Sequence, residues 1–332
     1  MCTMITVTEL SKEFRVYRHH RGGLGALRNL VTREYHVVRA VDRVSFHIGA
    51  GELVGYLGPN GAGKSTTLKM LTGILVPTSG AVDVAGRVPW QERAEHVRGI
   101  GAVFGQRTSL WWDLPVIESL DLLRHIYRVP EARYRANLRL FDDLLELGPF
   151  LDMPVRSLSL GQRMRADLSA ALLHDPALLF LDEPTIGLDV VAKERIRTFI
   201  RTINRERSTT VILTTHDLGD VEKLCDRVMM IDHGRLVYDG ALTDLRQRFG
   251  EGRVLVVDFE SVPADLNLPG AELLRREANR VWLRVGGNGS AGSVSQVVPL
   301  LFQAGAVLDL SVQEPDIEDV IRRIYEGHLL DG

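Results

Sequence analysis

Cysteine and long apolar runs are both scarce in this sequence. Cys2 and Cys225 are the only cysteines among 332 residues, and they fit neither a metal-ligand nor a disulfide spacing, so we expect a reducing, cytosolic compartment. The most apolar stretch, residues 170–181, is broken by a histidine, an aspartate and a proline. A membrane helix needs about 20 mostly apolar residues, so we expect a chain that does not cross a bilayer by itself.

Neither sign of charge is in strong excess. The formal net charge is −3, whereas a domain that binds nucleic acid usually carries a marked excess of lysine and arginine. We therefore expect no nucleic-acid partner. Apolar residues make up 45% of the chain, which is enough for a packed core.

Helical patterns alternate with short apolar runs in the first three-quarters of the chain. Residues 53–57 are predicted to form a strand, and residues 177–182 and 210–215 are typical of strands that are buried on both faces of a parallel sheet. Residues 66–75 and 116–147 have the apolar spacing of helices. The alternation predicts an α/β fold.

The pattern changes near residue 245. The predicted elements beyond it are strands at 254–259, 281–285 and 307–312 and helices at 294–303 and 316–325. We therefore predict two domains, an α/β domain over residues 1–245 and a small α+β domain over residues 246–332.

An insertion rich in arginine, histidine and glycine, residues 18–36, separates predicted strands at 1–17 and within 37–57. Its leucines lie at helical steps among the arginines, as in a short basic helix at a membrane surface or against a membrane protein. A solvated surface loop explains the same residues equally well.

A glycine-rich loop joins the predicted strand 53–57 to the predicted helix 66–75, which is the context that a P-loop requires. Its glycines let backbone N–H groups point at phosphate oxygens, and the start of the helix adds a partial positive charge. We expect Lys64 to reach the β- and γ-phosphates and Ser65 to bind Mg²⁺. The loop consists of Gly58, Pro59, Asn60, Gly61, Ala62, Gly63, Lys64 and Ser65.

Two carboxylates, Asp182 and Glu183, follow the apolar run at 178–181. Beside a P-loop, Asp182 suits a Mg²⁺ contact, and Glu183 suits activation of an attacking water. Such a pair on its own is as often a solvated turn or a helix cap.

Six short segments, taken in order, resemble the motifs of ABC ATPases. They are the P-loop as Walker A, Gln106 as Q-loop, Leu158-Ser-Leu-Gly-Gln162 as signature, Asp182-Glu183 as Walker B, Gly187-Leu-Asp189 as D-loop and His216 as H-loop. The resemblance covers residues 1 to about 245. It implies a P-loop NTPase fold with a mixed sheet core and a helical subdomain that carries the signature.

The resemblance also implies how ATP is bound, between two chains in a head-to-tail dimer. Lys64, Ser65 and Thr66 hold one nucleotide from their own chain. The opposite chain contributes the signature residues Ser159, Gly161 and Gln162, and Asp189 links the two sites.

For the chemistry, the resemblance implies that Glu183 is the general base and that His216 contacts the γ-phosphate. Gln106 contacts Mg²⁺ and the water, so the metal-binding set is Ser65, Gln106 and Asp182. Leu160 departs from the family pattern, because it replaces the first glycine of the signature. The serine and the second glycine are retained, so we expect two working sites in a homodimer or in a dimer with a closely related ATPase subunit.

Tyr35 lies 29 residues before Lys64, where ABC ATPases commonly place an aromatic residue that stacks on adenine. A ring stacked on a base contributes about 1–3 kcal/mol in nucleic-acid systems. A tyrosine at a strand edge is the alternative interpretation.

The segment 104–115 and the segment Glu314–Val320 resemble those of ATP subunits of bacterial ABC-2 type exporters, close to the viologen and drug exporter group. This implies efflux of drug-like or cationic compounds through a separate integral membrane permease, with the chain at the cytoplasmic face of the cell membrane. We expect Trp111 and Trp112 to dock a short helix of that permease; internal packing of one ring is the alternative.

Two other functions remain open at this point. One is a soluble ABC ATPase that acts on ribosomes or DNA, although such proteins usually have two cassettes or a long insertion. The other is a regulatory nucleotide-binding module without turnover, which the presence of Glu183 and His216 disfavours.

Overall fold

The computed structural model describes residues 3–17, 35–105, 107–250, 252–263, 266–286 and 292–327. The chain forms two compact units, Met1–Asp239 and Gly240–Gly332. The predicted boundary at residue 245 lies a few residues beyond Asp239, where the first unit ends. Gln106 and residues 18–34 of the insertion lie outside the described residues.

Among the described residues, nine strands belong to the first unit or end just beyond it. They are β1 (Thr3–Tyr17), β2 (Tyr35–Gly49), β3 (Leu53–Leu57), β4 (Ser79–Val84), β5 (Ile100–Phe104), β6 (Leu178–Asp182), β7 (Thr210–Thr214), β8 (Arg227–Asp232) and β9 (Arg235–Ala241). The α-helices that the structure describes alongside them are α1 (Lys64–Leu71), α2 (Arg93–Gly99), α3 (Val116–Tyr127), α4 (Glu131–Leu145), α5 (Leu160–Leu172), α6 (Val190–Arg207) and α7 (Leu218–Leu224).

The central sheet has the strand order β5-β6-β7-β3-β8-β9, and the pairs from β5 to β8 are parallel. β6 and β7 are apolar along nearly their whole length and are buried, as the sequence predicts. Parallel strands end at the same edge of a sheet, where α/β proteins bind their ligands. The segments that follow β3, β6 and β7 therefore meet at one edge.

A second, antiparallel sheet has the order β2-β1-β4. One buried cluster joins it to the central sheet, with Ile5 and Ile48 on one side and Phe180 and Ile212 on the other. The first unit is therefore built on a mixed set of parallel and antiparallel strands, as the resemblance implied. Cys225 packs against β3 of the central sheet. Its sulfur lies 3.3 Å from the position that a Cβ at Gly55 would take.

Two sequence-based boundaries in the first unit are wrong. The predicted helix 116–147 is two helices, because Arg128 has a left-handed φ of 55° and Pro130 has no N–H to continue the helical bonding. Tyr35 and His36, assigned to the insertion, are the first two residues of β2 and pair with Tyr17 and Val16.

The second unit contains α8 (Leu242–Phe249), β10 (Arg253–Phe259), β11 (Ala271–Glu277), β12 (Arg280–Val285), α9 (Val294–Ala304), β13 (Val307–Gln313) and α10 (Ile317–Gly327). Its antiparallel sheet has the order β11-β12-β10-β13, and Leu255, Val281 and Leu301 belong to one buried cluster. The sequence did not predict β11, whose side chains are mostly charged and exposed.

None of the helices within the described ranges combines the length and the apolar content that a bilayer crossing requires.

Candidate active site

The P-loop lies between β3 and α1 and has glycine where no side chain fits. Gly63 has a φ of 111°, and a Cβ added there would lie 2.4 Å from the carbonyl oxygen of Ala40. A Cβ at Gly58 would lie 2.4 Å from the carbonyl oxygen of Ile231. The loop is therefore held against β2 and β8 by close backbone contacts, which fix its position before any ligand binds.

Lys64 is buried and its ammonium folds back over the loop. Its Nζ donates to the carbonyl oxygens of Gly58, at 2.6 Å, and Pro59, at 3.0 Å. Burial lowers the pKa of Lys64, and the carboxylates of Glu183 and Asp182 act in the opposite direction. The loop thus holds a cation at its centre, where the charge of a phosphate would compensate its desolvation.

Asp182 is placed at the end of β6, beside the first residues of α1. Ser65 Oγ donates to Asp182 Oδ1 at 3.5 Å, and the hydroxyl of Thr214 donates to the same oxygen. A hydroxyl and a carboxylate oxygen are hard ligands that suit Mg²⁺. No group of three histidine, cysteine or acidic side chains in the described ranges could hold a metal alone. This pair fits a Mg²⁺ ion that also takes phosphate and water oxygens.

Glu183 and His216 form the third part of the site. Glu183 has a left-handed φ of 55°, and its backbone N–H donates to the carbonyl oxygen of Thr214 at 2.9 Å. His216 Nδ1 lies 3.1 Å from Glu183 Oε1, a hydrogen-bond distance. Both side chains border solvent, so a carboxylate with an adjacent imidazole faces the open edge of the sheet.

A cleft of about 360 Å³ lies beside these groups and is lined by Ser65, Asp182, Glu183, Gly105 and Arg107. A Cβ at Gly105 would lie 2.8 Å from the carbonyl oxygen of Glu183, so this part of the Q-loop packs directly on the Walker B turn. The structure therefore brings together the P-loop, both carboxylates and His216. Gln106 itself lies outside the described residues.

The signature residues lie at the start of α5. Ser159 Oγ accepts from the backbone N–H of Gln162 at 3.2 Å, and Gln162 Oε1 accepts from the backbone N–H of Ser159 at 2.9 Å. This capping box closes the first turn of the helix. In the described part of the chain, neither residue hydrogen-bonds to the P-loop or to Glu183.

Leu160 packs on the D-loop of its own chain. Its Cδ2 lies 3.0 Å from where a Cβ of Gly187 would be, and Gly187 has a φ of 70°. Asp189 accepts from the backbone N–H of Ala192 at 2.8 Å and caps α6. The unusual leucine is thus accommodated by an intramolecular contact with the D-loop.

Tyr35 is exposed at the start of β2, with the guanidinium of Arg15 5.1 Å from the centre of its ring. It lies five residues, or about 16 Å of strand, from Ala40, whose carbonyl meets the P-loop. Phe14, which the sequence argument did not consider, pairs with Val38 and lies much nearer to Ala40. Phe14 is 38% exposed, so its ring is accessible to a ligand.

Trp111 and Trp112 are 39% and 50% exposed, so neither ring is buried. The guanidinium of Arg163, on α5, lies 5.8 Å from the centre of the Trp112 ring. The segment before them is held by Asp167, which the sequence argument also missed. The carboxylate of Asp167 accepts from Thr108 Oγ1 at 2.8 Å and from the backbone N–H of Ser109 at 3.0 Å.

Asp167 is mostly buried, and burial raises its pKa, whereas its hydrogen bonds act in the opposite direction. One signal was available in the sequence, because an aspartate interrupts the apolar helix sequence at 164–173. A buried polar side chain requires partners, but the sequence does not say which they are.

Comparison with known proteins gives one consistent result. Residues 41–186 match the family model described as ABC transporter. The chain is 36% identical to the daunorubicin/doxorubicin resistance ATP-binding protein of Streptomyces peucetius, over 73% of this chain and 74% of that protein. It is 39% identical to the Nod factor export ATP-binding protein I of Burkholderia pseudomallei (strain 1710b), over 64% and 69%.

Among solved structures, the chain resembles a dimeric ATP-binding cassette in a post-hydrolysis state bound to ADP and Pi. The TM-score is 0.59 and the identity is 25%, over 72% of this chain and 99% of that one. Together with the P-loop geometry, these matches establish the family and the reaction. The chain belongs to the ABC transporter ATP-binding family and is an ATP-binding subunit that hydrolyses ATP.

Proposed function

We propose that this chain drives an ABC-2 type exporter at the cytoplasmic face of a bacterial membrane, through a separate permease. The observation that carries the proposal is the grouping of Lys64, Asp182, Glu183 and His216 at one edge of the central sheet. Export is supported by the similarity to proteins named for Nod factor export and for drug resistance. Drug-like or cationic compounds are the proposed cargo class.

The proposed nucleotide site begins with the P-loop. The N–H groups of Gly61 and Gly63 and the start of α1 would surround the phosphates, while Lys64 would move from its carbonyl partners to the β- and γ-phosphate oxygens. Ser65, Asp182 and Gln106 would hold Mg²⁺ together with those oxygens. The ion would neutralise charge on the phosphates as the γ-phosphoryl group leaves.

The proposed chemistry rests on Glu183 and His216. A water attacks the γ-phosphorus, Glu183 accepts its proton, and the bond from the γ-phosphorus to the ADP oxygen breaks. His216, 3.1 Å from Glu183, would donate to the γ-phosphate. A carboxylate at the open edge of the sheet is well placed to receive a proton from water.

The signature residues are proposed to act on a second chain. Ser159, Gly161 and Gln162 lie at an accessible helix start, and an N-terminal helix end attracts the phosphates of a bound nucleotide. A head-to-tail pair of chains, either a homodimer or a pair with a closely related subunit, would bring this helix start to the γ-phosphate. Asp189 and the exposed Val190 at the start of α6 would lie near that junction.

Two other functions have less support. The relatives named above are an export and a resistance protein, so they give no support to action on ribosomes or DNA. A regulatory module without turnover would not need a carboxylate paired with an imidazole beside the P-loop. The extent of the two domains, 1–245 and 246–332, stays a prediction.

The test of export is a reconstitution with the candidate permease, a membrane protein of about six helices encoded beside this chain. ATP would be added to the solution outside inside-out vesicles, where the ATPase subunit faces it. Uptake of a fluorescent cationic dye into the vesicles would then be measured. We expect ATP-dependent uptake that is lost with the Glu183→Gln chain. ATP hydrolysis without any uptake, combined with co-sedimentation of the chain with ribosomes, would contradict the proposal.

A further inference from the structure

A buried ion pair lies behind the Walker B and H-loop segments. Asp220, on α7, has no exposed surface, and Arg197, on α6, is 6% exposed. Arg197 donates to Asp220 Oδ1 through Nε at 2.6 Å and through Nη2 at 2.5 Å. A buried carboxylate needs a charged partner and hydrogen-bond donors, because water does not solvate it, and here two guanidinium nitrogens meet one carboxylate oxygen.

Asp220 also holds two threonine hydroxyls through its other oxygen. Thr185 Oγ1 donates to Asp220 Oδ2, and Thr215 Oγ1 donates to it at 3.3 Å. Thr185 follows Glu183 by two residues, and Thr215 directly precedes His216. One carboxylate therefore ties the two loops that carry the proposed base and its histidine.

Asp217 in the second loop is also held by Lys193, at 2.5 Å, so the question is what sets the position of Glu183 and His216 relative to each other. Glu183 has a left-handed φ, a conformation that persists only where the surrounding structure enforces it. Its backbone N–H bonds to Thr214, and its side chain reaches only His216 among the hydrogen-bond partners in the described ranges. Thr215 Oγ1 in addition accepts from the backbone N–H of Asp217 at 2.9 Å, so it fixes the residues on both sides of His216.

We propose that Asp220 is a positioning residue that sets the distance between Glu183 and His216 through Thr185 and Thr215. Arg197 holds the carboxylate in place, and the hydroxyls transmit its position to the two loops. The inference rests on the proposed roles of Glu183 and His216. It predicts that loosening this contact impairs turnover and spares ATP binding, because the side-chain hydrogen bonds of Asp220 within the described ranges go to Arg197, Thr185 and Thr215 and not to the P-loop.

The experiment compares two valine substitutions at buried threonines. Thr185→Val removes a hydroxyl that bonds to Asp220, while the ion pair with Arg197 stays intact. Thr210→Val is the matched control, because Thr210 is equally buried and its hydroxyl only accepts from the backbone N–H of Gly51, at the other end of the central sheet. Thr185→Ser keeps the hydroxyl and serves as the rescue variant.

Steady-state ATP hydrolysis by the full chain gives kcat and KM for each variant, and thermal melting reports folding. We expect kcat of Thr185→Val to fall about tenfold with KM unchanged, since small displacements of a catalytic group produce losses of that order. Thr185→Ser should regain most of kcat, and Thr210→Val should keep it even if it melts earlier.

Equal kcat for Thr185→Val and Thr210→Val would overturn the proposal. The proposal would also be overturned if kcat fell in both variants in proportion to the decrease in their melting temperatures. Glu183→Gln, measured in parallel, separates the role of Glu183 as the base from the positioning role of Asp220. If Glu183→Gln hydrolyses ATP normally, the assignment of the base is wrong. If it is inactive while Thr185→Val is normal, only the positioning role of Asp220 is refuted.

Discussion

The two parts of the ATP machinery in this chain are built in different ways. The phosphate site, comprising the P-loop, Asp182, Glu183 and His216, is assembled from three segments that end at one edge of the central sheet. The signature turn, Ser159–Gln162, is closed by hydrogen bonds within a single helical turn. The phosphate site is therefore organised by the fold, whereas the signature turn is organised locally and presents its polar groups outward.

The two parts also differ in how far they are prepared for a ligand. Lys64 is 7% exposed and already bonded to its loop, while Ser159 is exposed on the surface. A ligand of the phosphate site meets groups that are already in position. In the proposed dimer, the signature turn would instead meet a nucleotide that is bound by the other chain.

The strongest way to break the phosphate site alone is Glu183→Gln. We expect turnover to fall about a thousandfold, because general-base catalysis typically contributes factors of that order, while the P-loop still binds ATP. The measurements are phosphate release and ATP-dependent dimer formation on size exclusion. Normal hydrolysis by this variant would contradict the role of Glu183.

Lys64→Ala attacks the same site through binding. Removing the ammonium deletes charge-assisted hydrogen bonds to phosphate, each worth about 1.5–3 kcal/mol, so we expect ATP affinity to fall about a hundredfold. Equilibrium binding of a fluorescent ATP analogue measures the change. Retention of wild-type affinity would show that the ammonium stays with Gly58 and Pro59 when the nucleotide is bound.

Trp111→Ala combined with Trp112→Ala tests the surface next to the signature helix, where the guanidinium of Arg163 lies 5.8 Å from the centre of the Trp112 ring. An aromatic anchor in an interface is often worth about 2 kcal/mol, so assembly with the permease should weaken at least thirtyfold. The isolated chain should hydrolyse ATP at a near-normal rate.

Co-purification with the permease and dye uptake in vesicles measure the outcome for the two tryptophans. Unchanged export would show that these rings do not contact the permease. An unfolded double variant would show instead that the rings stabilise the fold.

Ser159→Ala tests the signature turn, and the second unit offers a control at another helix start. Ser293 immediately precedes α9, and its backbone N–H donates to Gln296 Oε1 at 3.0 Å, as that of Ser159 does to Gln162, but its hydroxyl pairs with Ser295 Oγ at 2.8 Å. Loss of the Ser159 hydroxyl cap should lower stability by about 1 kcal/mol, and we expect a smaller decrease in Ser293→Ala, whose hydroxyl pairs with Ser295 Oγ instead. Only Ser159→Ala should lower kcat, by about tenfold.

If Ser159→Ala and Ser293→Ala leave kcat equally unchanged, the signature turn has no contact with the nucleotide in the active assembly. This result would also remove the main support for the head-to-tail arrangement.

The smallest expected effect separates Tyr35 from Phe14. Replacing the ring that stacks on adenine by alanine should raise KM for ATP about tenfold and leave kcat almost unchanged. Tyr35→Ala and Phe14→Ala are each other's controls, since the two residues lie on opposite faces of the β1–β2 pair. An unchanged KM in Tyr35→Ala would exclude stacking at that position.

The sequence predicted the parts of the site that depend on local pattern. Gly58–Ser65 required only the order strand, loop and helix, and Asp182 required only its place after an apolar strand, whereas His216 came from the order of the family motifs. Family resemblance added the signature turn, whose capping box is itself local. These predictions depend on spacing along the chain, and the structure places the P-loop, Asp182 and His216 together as expected.

The missed residues depend on contacts between distant segments. Asp167 holds Thr108, which is 59 positions away, and Asp220 holds Thr185, 35 positions away. The number of residues between Tyr35 and Lys64 also did not reveal how far Tyr35 lies from the P-loop. Tyr35 is at the far end of an extended strand that meets the P-loop at Ala40. Burial makes partners obligatory for such side chains, but only the fold decides which partners they find.

The position of Cys225 has a practical consequence for spectroscopy on this protein. Its thiol is packed against Gly55 and burial raises its pKa, so it carries little reactive thiolate. Since the chain has only one other cysteine, Cys2→Ser would leave no readily labelled thiol. A cysteine introduced at an exposed position such as Trp112 or Val190 would then carry a fluorophore or spin label by itself. Distances between such labels in the two chains would report the opening and closing of the ATPase pair during turnover.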